Sequence, residues 1–174
     1  MTKKIGLLIL IGIISIILGS IYGMLHNQIS YSISPEYFTK FKFDQIGEWL
    51  HQVENERIAI SFVGFVSTWW FGLIIGVILG IVAMFQPNSK AMWKSAIGAV
   101  LRTLGIAIGI GIMGILVGTF LISNLNANWN LPAELTDRKG FLIAGTMHNF
   151  SYVGGMIGLI YGIIYQLKIK KVSI

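Results

Sequence analysis

Three histidines, His26, His51 and His148, are the only imidazoles in this chain of 174 residues, and all three fall towards the same side of a set of long apolar stretches. His148 and Asn149 are followed by Ser151 and Tyr152, so an imidazole, an amide, a hydroxyl and a phenol crowd one third of a single apolar stretch. Polar groups at that depth in lipid cost free energy unless they are partnered, and they face a neighbouring helix or a wet cavity. Two readings follow. In the plain one, His148 is a neutral imidazole that ties helices together through a backbone or hydroxyl partner. In the sharper one, it belongs to a ligand site with His26, Asn149, Tyr152 and, from another stretch, Trp69. Neutral imidazole suits haem and metal ions alike, so a haem or metal site belongs to the second reading, although no local motif links His26 with His148.

Other chemistry has little to stand on. Cysteine is absent, which removes disulfides, thiolate nucleophiles and Cys-ligated zinc or iron–sulfur centres. There is no phosphate-binding Gly-Lys-Ser/Thr loop, no His-Glu-x-x-His pair and no nucleophile elbow. No catalytic or metal-ligating residue is assigned, no cofactor is named, and the balance leans away from an enzyme. Asn149-Phe150-Ser151 matches a glycosylation sequon but sits inside an expected helix. A net charge of +6 without a basic stripe interleaved with aromatics gives no footprint for nucleic acid.

The elements that position these residues are four apolar runs, about 5–25, 58–85, 97–122 and 141–167. A hydrocarbon core about 30 Å thick needs roughly 20 apolar residues as helix, and each run meets that length. With 55% hydrophobic and 11% charged residues, the expectation is an all-α membrane protein: one polytopic domain over 1–174, a four-transmembrane-helix bundle with a small outer segment, 26–57, between the first two helices. The first run is long and lacks a small-x-small cleavage site, so it is read as a retained helix.

Charge orients the bundle. Lys3, Lys4, Lys90, Lys94, Arg102, Lys168, Lys170 and Lys171 flank one side without any acid. The other side holds Lys40, Lys42, Arg57, Arg138 and Lys139 with all seven acids. Eight basic residues against five place both termini in the cytoplasm of a bacterial inner-membrane type of plasma membrane. Arg102, at the start of run three, is expected to snorkel to the head groups beside Trp93 and Lys94.

Glycines recur four apart: Gly72, Gly76 and Gly80; Gly105 with Gly109, and Gly114 with Gly118; Gly154, Gly158 and Gly162. Ser15, Gly19 and Gly23 offer a similar face on the first run. In lipid such faces are packing seams, against another helix of this chain or against a second copy.

In the outer segment, Ile29–Ile33 alternates with period two and reads as a short extended piece. Ser34-Pro35-Glu36 reads as a helix start with Ser34 as N-cap. Tyr37, Phe38, Phe41 and Phe43 form an aromatic cluster, and Asp44–Arg57 reads as an amphipathic helix leading into the second run. Pro87-Asn88-Ser89 is a turn, Trp129 an interfacial anchor, and Thr136-Asp137 a cap for the fourth helix. The functional expectation is a non-enzymatic protein that contacts membrane lipids and binds a partner, assembles a complex or forms a homo-oligomer through its outer face. The alternative is a small-molecule or cofactor site near His148 that serves transport or electron transfer.

Overall fold

A computed structural model of the chain describes residues 2–125 and 131–172, the last three by backbone alone. Four long helices form a bundle: α1 (Thr2–Ile33), α3 (Glu56–Ala83), α4 (Ser89–Phe120) and α5 (Arg138–Val172). The short helix α2 (Phe43–Ile46) lies between the first two, behind a π-helical turn (Phe38–Lys42) and before a 3-10 turn (Glu48–Gln52). All four long helices are apolar and long enough to cross a membrane. The expected class, an all-α four-span bundle, is the class observed. Trp129 falls outside the described residues.

The bundle is inside-out relative to a water-soluble one. On α1 the exposed positions include Ile5, Ile9, Ile13, Ile17, Ile21, Leu25 and Ile29, a lipid-facing row, while Ser15, Ser20, Gly23, His26, Asn27 and Ser30 are buried. Burying Leu or Ile between helices gains little when lipid is just as apolar, so small residues take the seams and let backbones approach.

Those seams divide the bundle into two tightly packed pairs, α1 with α3 and α4 with α5. A Cβ on Gly64 would lie 2.5 Å from the Gly23 carbonyl oxygen, and one on Gly23 would lie 2.5 Å from that of Gly64. Gly72 and Gly76 abut Ser15, and Gly80 abuts Leu8. In the second pair, Gly154 meets Ala107, Gly158 meets Thr103, and Gly162 meets Thr103, Ala99 and, across the pairs, Leu79. Gly105 and Gly109 differ from the expected seam. Beyond the adjoining turns of α4 itself, no atom of the described residues lies within 4 Å of a Cβ built on either, and both glycines are exposed.

Between the pairs, direct hydrogen bonds between long helices gather towards the ends. At the end carrying the chain termini, Gln166 Nε2 on α5 donates to the Leu79 carbonyl of α3 at 3.0 Å. Gln86, just after α3, donates from Nε2 to the Gln166 carbonyl at 3.0 Å and to Ser95 Oγ at 3.3 Å. Lys4 Nζ closes the same end by donating to the carbonyls of Met84 and Gln86. At the opposite end, α1 and α5 meet through histidine and serine. We call the two the basic end and the acidic end, after the charges they carry.

Caps behave as the residue types dictate. Asn55 accepts from the Arg57 N–H to start α3, and Asn88 accepts from the Ala91 N–H to start α4. Asp137 starts α5, its Oδ1 accepting from the Gly140 N–H at 2.9 Å.

The segment between α1 and α3 departs from the sequence expectation in three places. Ile29–Ile33 is not extended but is the last part of α1, which runs to Ile33. A five-residue alternation also satisfies helical spacing, since Ile29 and Ile33 are four apart, and a long apolar helix propagates through it until Pro35. Ser34 does not cap through its side chain. Its hydroxyl is buried without a partner, and its N–H donates to the Ser30 carbonyl as part of the end of α1. Asp44–Arg57 is not one amphipathic helix, because α2 stops at Ile46, a 3-10 turn follows Gly47, and Asn55 begins α3 afresh. Gly47 allows the break: a Cβ there would lie 2.7 Å from the Trp49 indole nitrogen, which folds back across it.

Candidate functional site

His26 and Ser30 stand one turn apart on α1, and His148 and Ser151 one turn apart on α5. The two faces meet reciprocally. His26 Nε2 lies 2.8 Å from Ser151 Oγ, and His148 Nε2 lies 3.0 Å from Ser30 Oγ. Each serine hydroxyl also has an acceptor on its own helix, Ser151 the Met147 carbonyl at 2.9 Å and Ser30 the Asn27 carbonyl at 3.3 Å. The direction of each histidine–serine contact follows the imidazole tautomer: with the proton on Nε2 the serine oxygen accepts, and with it on Nδ1 the serine hydroxyl donates to the ring. All four side chains are buried. The imidazole rings touch edge to face, with centroids 4.5 Å apart.

The connection after α1 roofs this pair. Tyr37 stacks on His148 at 4.8 Å between centroids, and Phe38 meets the same ring edge-on at 6.1 Å. Tyr37, Phe38 and Phe43 are buried, packing with Leu50, Ile60, Val63 and Phe141 as a cluster at the acidic end. The expected aromatic cluster thus faces inwards. Burial pushes the Tyr37 phenol above its ordinary pKa, and burial likewise pulls the Lys42 ammonium below its own. Lys42 lies over the Phe41 ring at 5.0 Å and donates to Gln45 Oε1 at 3.0 Å.

Glu36 latches this roof to the start of α5. Its carboxylate pairs with Lys40 at 2.8 Å and accepts from the Thr136 and Asp137 N–H groups, the latter at 2.7 Å. Lys40 also donates to the Glu134 carbonyl. Lys40 first, then those two N–H groups, hold the Glu36 carboxyl down at about 2 from its ordinary 4.5. A depressed carboxyl contributes stability that is complete above the unfolded value and is lost as pH falls through the folded one. Amide-exchange protection of Thr136 and Asp137 is accordingly expected to persist at pH 4 and to fail as pH approaches 2. Loss centred near 4.5 would show that the latch does not hold the carboxylate.

Beneath the histidines, between the two helix pairs, lies a cavity of about 80 Å³. Its walls come from α1 (Ser15, Tyr22, His26), α3 (Ser67, Phe71), α4 (Thr103, Ala107) and α5 (His148, Ser151, Tyr152). Among the described residues no Asp, Glu, Lys or Arg lines it. The Ser15 hydroxyl, 3% exposed, finds no hydrogen-bond partner among the described residues, and the Tyr22 hydroxyl is beyond hydrogen-bond distance of its nearest polar neighbour, Ser151. On the basic side the cavity is floored by an apolar layer containing Ile75, Leu79, Ala99 and Val100.

Of the five residues singled out from sequence, the fold brings His26, His148 and Tyr152 to this cavity. Asn149 is exposed on the other side of α5, and Trp69 is 39% exposed on α3, so neither joins them. His51 is apart as well, at the surface with Asp44 at 3.0 Å. Ser30 and Tyr22 were not singled out, while Ser15 and Tyr37 were read only as part of a packing seam and of the aromatic cluster. The first two were legible as a stripe, because Tyr22, His26 and Ser30 are spaced four apart in an otherwise apolar helix.

A haem between His26 and His148 does not fit. The rings are in direct contact, and each Nε2 that would ligate iron is engaged by a serine. Two imidazoles also fall short of a metal-ligand set, and no group of three or more metal-binding side chains occurs among the described residues.

Fold and site together define a four-span helical membrane protein with an uncharged, partly polar cavity between two helix pairs. No protein family, curated protein or solved structure with which the chain was compared matches it.

Proposed function

We propose that this protein binds a small uncharged molecule, or the uncharged head of a larger one, in the cavity beneath the histidine pair. The observation that carries this reading is the Ser15 hydroxyl, unpartnered among the described residues, with the Tyr22 hydroxyl beside it, bordering a cavity that no charged side chain among those residues lines. At membrane depth, water does not satisfy such donors from outside, so they call for an acceptor within the cavity. Mostly apolar walls with a few polar points are the usual make-up of a small-molecule site. The volume, 80 Å³, is near half of the roughly 150 Å³ that holds a benzene ring in an engineered cavity, which suits a group of a few heavy atoms.

The charge bias orients the acidic end, with its Tyr37 roof, away from the cytoplasm, and both termini towards it, in a plasma membrane of the bacterial inner-membrane type. The ligand then reaches the cavity from the outer side or from the lipid. Partner binding through the outer segment is the weaker reading once Tyr37, Phe38 and Phe43 pack inwards. Its remaining support is Trp49, 51% exposed and in ring contact with Phe62, an arrangement that an interfacial anchor explains equally well.

Native mass spectrometry of protein gently extracted from its own membranes tests the proposal. The wild-type chain is expected to retain a small neutral adduct. Ser67→Phe, which fills the cavity, is expected to lose it while keeping a cooperative unfolding transition. His148→Ala is expected to release it too. A wild-type protein without an adduct, or an adduct that survives Ser67→Phe, overturns the reading.

A further inference from the structure

Arg102 stands apart from the other basic residues by lying well inside both ends of a membrane helix, thirteen residues after Ser89 opens α4 and well before α4 ends at Phe120. Its guanidinium is exposed yet held in place. The carbon at its centre sits 3.8 Å from the Tyr165 ring centroid of α5, and Nη1 donates to the Gly98 carbonyl at 2.8 Å. Gly98 makes room for this arrangement, since a Cβ there would lie 2.8 Å from the Tyr165 hydroxyl and 3.2 Å from Arg102 Nη1. A guanidinium has five N–H donors, so one backbone carbonyl leaves most of them unspent.

Nothing anionic in the protein's side chains answers this charge. All seven Asp and Glu residues belong to the connections at the acidic end or flank them. Around Arg102 the charges are of one sign: exposed Lys94 two turns earlier on α4, and exposed Lys168 one turn beyond Tyr165 on α5. A fixed cation at the edge of the hydrocarbon, stacked on a tyrosine and backed by two lysines, suits a phosphate group in the head-group layer.

The surface beyond Arg102 suits what such a phosphate would carry. Gly105 and Gly109 follow on the same flank of α4, both exposed with open space above them. Leu101, Ile108 and Ile112 stand exposed around them. They form a shallow apolar track that leaves the guanidinium and runs into the hydrocarbon, wide enough at the glycines for a hydrocarbon chain to lie against the backbone.

We propose that this face binds an anionic phospholipid, its phosphate on Arg102 with Lys94 and Lys168 nearby, and one acyl chain along Gly105 and Gly109. The site is separate from the cavity between the helix pairs and does not depend on what fills that cavity.

The test uses purified full-length protein in neutral detergent. It is offered equal amounts of phosphatidylglycerol and phosphatidylcholine with matched chains, and bound lipid is counted by native mass spectrometry. Wild type is expected to retain phosphatidylglycerol in preference. Arg102→Gln, at an exposed position that leaves folding intact, is expected to lower that retention about fivefold, the loss of one basic residue near a head group. Arg102→Lys keeps the charge without the stacked fork and should fall between them. Gly105→Leu, placed where there is open space, is expected to weaken phosphatidylglycerol retention by blocking the track. A preference unchanged in Arg102→Gln overturns the proposal. So does a Gly105→Leu protein that retains the lipid but dissociates from a dimer into monomers, because the face would then belong to a second copy of the chain.

Discussion

Leucine at position 158 is expected to unfold or split the α4–α5 pair, with a loss on the order of 3 kcal/mol or more. A Cβ at that position would already lie 2.8 Å from both the Cα and the carbonyl oxygen of Thr103. Both obstacles are backbone atoms, so no rotamer change relieves the clash. The helices must separate, and with them goes the hydrogen bond from Thr103 Oγ1 to the Gly158 carbonyl, 2.9 Å long and buried. Gly105→Leu is the matched comparison, since the same side chain there meets open space. Thermal unfolding in detergent should separate the two variants widely, with Gly105→Leu close to wild type. Equal losses in both would mean that leucine acts through something other than the seam.

Second in size is the replacement of His148 by alanine, for which we expect a loss on the order of 2–4 kcal/mol. The imidazole is 7% exposed and does three things at once. It hydrogen-bonds with Ser30 across the helix pairs, it contacts His26, and it carries the stacked ring of Tyr37. Alanine removes all three and leaves a void continuous with the cavity below. Glutamine can restore a hydrogen-bond partner for Ser30 but not the flat surface under Tyr37, so His148→Gln should recover part of the loss. Unfolding midpoints for wild type, His148→Gln and His148→Ala should therefore fall in that order. A cost below 1 kcal/mol for alanine would mean that the histidine–serine exchange does not hold the pairs together at this end.

These two variants probe different layers of one design. Glycine seams make two stiff hairpins, α1 with α3 and α4 with α5. Polar groups then join the hairpins towards their ends, histidine with serine at one and the two glutamines at the other. The arrangement follows from the solvent. Lipid rewards close backbone contact and penalises unpaired polar atoms, so small residues glue within a pair and hydrogen bonds register one pair against the other.

Much of this was readable before any coordinates. Four spans followed from length and apolar content, because backbone in hydrocarbon has no choice but helix. Position-by-position spacing marked Gly72, Gly76, Gly80, Gly154, Gly158 and Gly162 as one-sided rows, and the polar crowd at His148 marked one helix as interior at that depth. The errors of secondary structure came from short-range patterns. Five alternating residues in Ile29–Ile33 were compatible with strand and helix alike, and the adjacent long helix decided the matter by extending through them. The helical spacing of Ile46, Trp49, Leu50 and Val53 was real, yet Gly47 and Asn55 each offered a break, and the break let Leu50 reach the buried cluster while Trp49 turned outwards.

What the sequence by itself determined was the kind of solvent this chain folds in, the number of spans and the end of the bundle at which its histidines lie. Each depends on composition along one segment at a time. Which polar residue meets which was decided only by tertiary structure. Residues 118 and 125 apart, Ser30 with His148 and His26 with Ser151, come together because two helix pairs approach at one rotation about their axes. A single turn of either helix would replace those contacts with others. The glycine seams fix which face each helix turns to its own partner, the hydrogen bonds register one pair against the other, and no one segment carries both. For the same reason Asn149, the immediate neighbour of His148, points away from the cavity, while Tyr37, far from His148 in the chain, lies flat against it.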